Sequence, residues 1–123
     1  MAIEALPPKD QRHVDAADGW LSLGNHVEAN EELGKVESKN RKHLDVLQVC
    51  WLVCAKAEKW DVCLDLATAM TQVAPECRLG WLHRAHSLGK MGRVSEAKEV
   101  LLSAARQFHS DCAISFYLAG YCT

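Results

Sequence analysis

Apolar residues recur at helical intervals along most of the chain. Leu44, Leu47, Trp51 and Cys54 are spaced by three or four positions, and Leu64, Ala67, Met70 and Val73 repeat that spacing after Cys63. Such spacing places the apolar side chains on one face of a helix. The pattern predicts pairs of helices at 10–23 and 26–38, 44–57 and 60–73, and 78–91 and 94–107, with a last helix over 112–122. The punctuation agrees with these limits. Pro8 stands just ahead of the first helix, where proline is tolerated. Gly24 supplies the first turn, and Asn25 followed by Glu28 reads as a capping box opening the second helix. Pro75 closes the helix over 60–73, because the residue before a proline avoids helical angles. Gly89 and Gly92 bracket the third turn, and Ser110 or Asp111 can cap the last helix. Gly34 inside 26–38 costs up to about 1 kcal/mol relative to alanine, which makes that helix the softest.

A longer period runs through the chain. Gly24 and Gly92 are 68 positions apart, as are Ala29 and Ala97, each five residues after its glycine. Cys63 lies midway between the two alanines, and Leu33, Ala67 and Leu101 repeat every 34 residues, as do Val36, Met70 and Ala104. A fixed period of this length is the mark of a helical repeat array. It divides the chain into units 10–43, 44–77 and 78–111, preceded by a flexible arm over 1–9 and followed by a closing helix within 112–123. Small residues at Ala17, Ala29, Ala85 and Ala97 let paired helices approach closely. Larger ones at Trp20, Leu33, Leu88 and Leu101 fill the space between hairpins. A lone hairpin leaves an apolar face wet, so stacking stabilises the array. The fold class is all-α.

From Trp81 the chain reads W-L-H-R-A-H-S-L-G-K-M-G-R-V-S-E-A-K-E-V-L, and Pro75 precedes that tryptophan by six positions. Trp81, Ala85, Leu88, Gly92, Ala97, Leu101 and Ala104 occupy the slots of a tetratricopeptide repeat, which this segment resembles. The resemblance covers everything after the first ten residues. It implies an α-solenoid of three helical hairpins plus the closing helix, about seven helices in a right-handed superhelix. The middle unit departs from the pattern. Trp51 takes a slot that usually holds Gly or Ala, and Glu58 replaces the turn glycine, which implies shifted packing there.

In that family the first helix of each pair lines a concave surface. The resemblance maps this surface onto Val14, Asp18, Leu21, Gln48, Leu52, Lys56, Leu82, His86 and Lys90, with Phe116 from the closing helix. Mixed apolar and polar residues of this kind suit an extended peptide or a single helix of another protein, as in an adaptor or scaffold. One subclass of the family grips a C-terminal carboxylate with basic and amide residues. The matching positions here are Val14, Asp18, Val49, Leu79 and His83, which do not supply that charge, and Asp18 repels a carboxylate. Two alternatives stay open: a secretion-type chaperone of the three-repeat kind, and a self-associating structural element that forms a homodimer through the apolar 112–122 helix.

Composition narrows the classes. Hydrophobic residues make up 49% of the 123 positions and the formal net charge is −2, with a pI near 6.3. This lacks the clustered basic excess of a nucleic-acid module or a polybasic membrane binder. No apolar run approaches the roughly 20 residues of a membrane-spanning helix. The opening residues, with Pro7 and Pro8, do not follow a secretory leader pattern, so a cytoplasmic setting is expected. The six cysteines, at 50, 54, 63, 77, 112 and 122, follow no C-x-x-C zinc pattern, and free thiols are expected in a reducing compartment.

Cys50 and Cys54 lie one helical turn apart, a spacing open to a soft metal; Cys54 and Cys63 also fall in core slots, where cysteine acts as a small hydrophobe. His83 and His86 are one turn apart, but no third ligand falls beside them, and a groove lining is the plainer reading. His83 is also a candidate proton-sensitive group. No nucleophile has a positioned base and no glycine-rich phosphate loop is present. No enzyme, metal or cofactor is therefore expected. Trp60 starts a helix and is a candidate surface contact.

Overall fold

A computed structural model describes residues 5–108. Among these, all regular structure is helical: α1 (Pro8–Ser22), α2 (His26–Leu33), a short 3-10 turn (Ser38–Asn40), α3 (Leu44–Lys56), α4 (Trp60–Val73), α5 (Arg78–Lys90) and α6 (Val94–Gln107). The expected helix over 112–122, with Phe116, lies outside the described residues. Each helix packs against the next in the chain, and α1 also packs against α3.

The hairpin turns are three copies of one geometry. Gly24, Glu58 and Gly92, spaced by 34 residues, carry φ of 81°, 57° and 78°. The next residue closes each turn onto the preceding helix. Asn25 N–H donates to the Trp20 carbonyl, Lys59 N–H to that of Cys54 and Arg93 N–H to that of Leu88, each at 2.9 Å. A left-handed residue followed by this long backbone bond satisfies carbonyls that a helix end otherwise leaves unpaired. Glu58 adopts the left-handed conformation despite its Cβ, which costs roughly 1–2 kcal/mol relative to an ordinary helical residue.

The period also runs through the core. Ala29, Cys63 and Ala97 are each fully buried, and so are Ala67, Leu101 and Ala104, with Leu33, Val36 and Met70 at 5% exposure or less. Three apolar clusters follow the chain. The first joins Leu6, Val14, Ala17, Ala29, Leu33, Val36, Val46, Val49 and Val53. The second centres on Trp51, Cys63 and Ala67, and the third on Leu82, Ala85, Leu88, Ala97, Leu101 and Ala104. Helices α4 and α5 approach closely at Gly80, where an added Cβ would stand 3.1 Å from Met70 Cβ and 3.2 Å from Thr71 N. Trp81 Nε1–H donates to the Pro75 carbonyl at 2.9 Å, which gives the six-residue spacing of that pair a physical role.

Three details differ from the sequence reading. Leu6 is buried in the first cluster and α1 begins at Pro8, so residues 6–9 are part of the fold rather than a free arm. Trp20 lies at the surface, 36% exposed, rather than between hairpins. The helix expected over 26–38 stops at Leu33, ahead of Gly34. Arg41 captures the carbonyls released there, with Nη2 donating to Gly34 O at 2.8 Å and Nε to Val36 O at 3.1 Å. Buried Asp10 holds the turn that follows: Oδ1 accepts from Glu37 N–H at 3.3 Å and Oδ2 from Asn40 Nδ2 at 2.6 Å.

Candidate functional site

Positions 34 apart share a register on α1, α3 and α5, and the hollows that hold the expected groove residues lie between α1 and α3. Between α1 and α3 lies a hollow of about 290 Å³ lined by Gln11, Val14, Asp15, Asp18, Asp45, Gln48, Val49 and Leu52. Beside it lies a second of about 240 Å³ lined by Leu21, Leu52, Ala55 and Lys56. Leu52 borders both, so the two hollows share a wall. Of the residues expected to line a groove, Val14, Asp18, Leu21, Gln48, Leu52 and Lys56 meet here. Val14 is 4% exposed and forms floor rather than wall.

The α5 side is built differently. Leu82 is buried among Ala85, Leu88 and Ala97, because it points into the α5–α6 core, and it does not line the groove. Half-buried His83 and His86 of α5 instead join a cluster with buried Trp51 of α3 and with Trp60 of α4. Trp51 stacks on His83 with ring centroids 3.8 Å apart and 12° between planes. His86 meets Trp51 edge-on at 5.7 Å and Trp60 at 5.5 Å, and Lys90 Nζ sits 5.8 Å from the Trp60 ring centre. Trp60, a candidate surface contact, is thus half-buried beneath His86 and Lys90.

Hydrogen bonds fix this cluster. Trp51 Nε1–H donates to Ser87 Oγ at 3.1 Å, and Ser87 Oγ–H donates to the His83 carbonyl at 2.8 Å. His83 Nε2 lies 2.7 Å from Gln48 Oε1. The amide oxygen only accepts, so the imidazole carries its proton on Nε2. Gln48 therefore belongs both to the groove and to the cluster, and it ties the α1–α3 face to α5. Burial, with a smaller contribution from His86, pushes the His83 pKa down to about 4. Burial and then Lys90 lower that of His86. A proton-sensitive role for His83 near neutral pH does not fit this environment.

The thiols of Cys50, Cys54 and Cys63 are poor nucleophiles. Burial and then Cys54 raise the Cys50 pKa to about 11. Burial, followed by Cys54 and Asp61, raises that of Cys63 to about 12, and Cys54 is raised by burial. A thiol this far from its thiolate form neither attacks nor ligates readily. Among the described residues, no group of three or more His, Cys, Asp or Glu side chains is placed to hold a metal ion, and no helix is long and apolar enough to cross a membrane.

Sequence reasoning missed Asp15, Asp45 and Ala55 as groove residues and His83 as a structural one. The signal was present: Asp15, Val49 and His83 share one register of the 34-residue period, and Leu21 and Ala55 share another. No protein-family model matches the chain, and no curated protein matches it at a significant level.

Proposed function

We propose that this chain is a tetratricopeptide-like solenoid that binds a segment of another protein in the groove between α1 and α3, as an adaptor or scaffold in the cytoplasm. The observation that carries this reading is the meeting of six expected groove residues, from two helices one repeat apart, around a hollow whose shared wall is Leu52. The three identical left-handed turns at 24, 58 and 92 support the repeat. The groove combines an apolar floor with a few polar groups, as segment-binding surfaces do: apolar anchors supply most of the affinity and polar groups fix register.

Recognition of an acidic C-terminal tail does not fit, since Asp15, Asp18 and Asp45 stand around the hollow. Among the described residues a catalytic role has no supporting arrangement: burial raises the Cys50 and Cys63 thiols and lowers the pKa values of His83 and His86.

Affinity capture with wild-type protein and with Leu52→Glu tests the reading. Leu52 is half-buried at the groove wall, so the glutamate should preserve the helical far-UV signal and abolish capture of the partner. Unchanged capture by a folded Leu52→Glu protein would overturn the groove assignment.

A further inference from the structure

We infer that the segment held in the α1–α3 groove is basic at one end and apolar at the other: an Arg or Lys and, one to three helical turns away, a Leu-type side chain. This rests on the groove reading above and adds the chemistry of the occupant.

The apolar half of the groove is the hollow between Leu21, Leu52 and Ala55, edged by Lys56. Its dimensions suit one aliphatic side chain, since 240 Å³ exceeds the volume such a group needs without admitting a whole helix turn. The other half is acidic. Asp15 and Asp18 from α1 and Asp45 from α3 stand around a floor of Val14 and Val49, with Gln11 and Gln48 between them.

Helix-dipole chemistry accounts for only one of these acids. Asp45 lies in the first turn of α3, where an acid is favoured. Asp15 and Asp18 lie in the middle and last part of α1, where it is not. Asp15 Oδ1 accepts from Gln11 Nε2 at 2.9 Å, and among the described residues no Lys or Arg pairs with Asp15, Asp18 or Asp45. The contact nearest to an ion pair is His43 Nδ1 to Asp45 Oδ2 at 3.8 Å.

The two halves lie at different heights on the helices: Gln11 and Asp45 come from the first turns of α1 and α3 and Asp15 from the middle of α1, whereas Leu21, Ala55 and Lys56 come from their ends. At 1.5 Å per residue the acids of α1 stand roughly 5–9 Å from Leu21, and Asp45 about 10–15 Å from Leu52 and Ala55 along α3, a span of about two to five residues of an extended chain or one to three turns of a helix. Lys56 at the apolar end disfavours a second cation there and sets orientation by repulsion as well as attraction.

A peptide-display selection on the intact protein tests this, followed by fluorescence polarisation of the enriched peptides. The expected peptides carry Arg or Lys and an aliphatic residue one to three helical turns apart. Their affinity should fall about tenfold or more in the Asp15→Asn/Asp18→Asn/Asp45→Asn variant and vanish in Leu52→Glu. It should also weaken with added salt, because exposed ion pairs are screened. Enriched peptides that are acidic or uncharged, lost in Leu52→Glu but indifferent to the triple variant, would sink the basic-apolar assignment and leave the groove reading standing. No enrichment, or enrichment indifferent to Leu52→Glu, would sink both. Light scattering on the same samples covers the competing occupant: a dimer that Leu52→Glu dissociates would place a second copy of this chain in the groove and overturn the proposal.

Discussion

Trp51 of α3 lies flat on His83 of α5, with ring centroids 3.8 Å apart and 12° between planes. This contact converts an apparent flaw in the repeat into a joint between two units. A slot suited to a small residue holds the largest side chain, and the neighbouring unit receives it with Ser87 at its indole nitrogen and neutral His83 on its face. Truncation should therefore loosen the α3–α5 junction. Trp51→Ala is expected to cost about 3–5 kcal/mol, as for other buried aromatics cut to alanine. Trp51→Phe should cost about 1–2 kcal/mol, since it keeps a stacking ring and loses the bond to Ser87. Chemical denaturation followed by far-UV circular dichroism checks both. A loss under about 1 kcal/mol for Trp51→Ala would contradict this role.

Acid should weaken the same joint. The His83 pKa falls from an ordinary 6.5 to about 4 in the folded chain, so between those values the unfolded chain binds more protons than the folded one. Stability is then full above about pH 6.5 and declines as pH drops towards 4, by up to about 3 kcal/mol from this group. His86, lowered in the same direction, adds to the decline. His83→Phe, which keeps a ring against Trp51, should flatten this limb of the curve. Melting temperatures measured from pH 7.5 to pH 4 in both proteins provide the comparison.

Glu58 carries a left-handed φ of 57° where the equivalent positions hold glycine. Glu58→Gly should relieve the strain, offset in part by the freer unfolded chain, for a net gain of about 0.5–1 kcal/mol. Gly24→Ala and Gly92→Ala should each lose about 1 kcal/mol, because nothing crowds their Cβ positions and the backbone angle alone opposes the side chain. Thermal melts of the three variants should show opposite signs.

Asp10 is 2% exposed and accepts from Glu37 N–H and Asn40 Nδ2. Asp10→Ala should cost about 2–3 kcal/mol by leaving those donors without their partner. Asp10→Asn, which keeps an acceptor oxygen, should recover part of the loss. Amide hydrogen exchange should show the damage concentrated at residues 34–41.

Much of the fold was legible in the sequence because small and large apolar residues return every 34 positions, and turns and core slots return with them. Five of the six described helices match their expected limits within about two residues. The sixth, α2, is shorter because Arg41 and Asp10 tether the chain beyond Leu33, and neither residue has a counterpart in the period. Asp10 reads in sequence as an ordinary first-turn acid, and its partners 27 and 30 residues away leave no local trace. The groove was half legible. Register brought Asp18, Gln48 and Leu52 to one hollow, but it could not show that Leu82 turns into the α5–α6 core while His83 and His86 meet Trp51 and Trp60.

The most direct measurement of the central claim is amide chemical-shift mapping of a bound partner segment on isotopically labelled protein. The account predicts shifts concentrated at Asp15, Asp18, Leu21, Gln48, Leu52 and Ala55, the residues that share the α1–α3 groove. Shifts centred on the separate hollow lined by Leu64, Thr68, Glu99 and Ser103, with the groove residues unmoved, would contradict it.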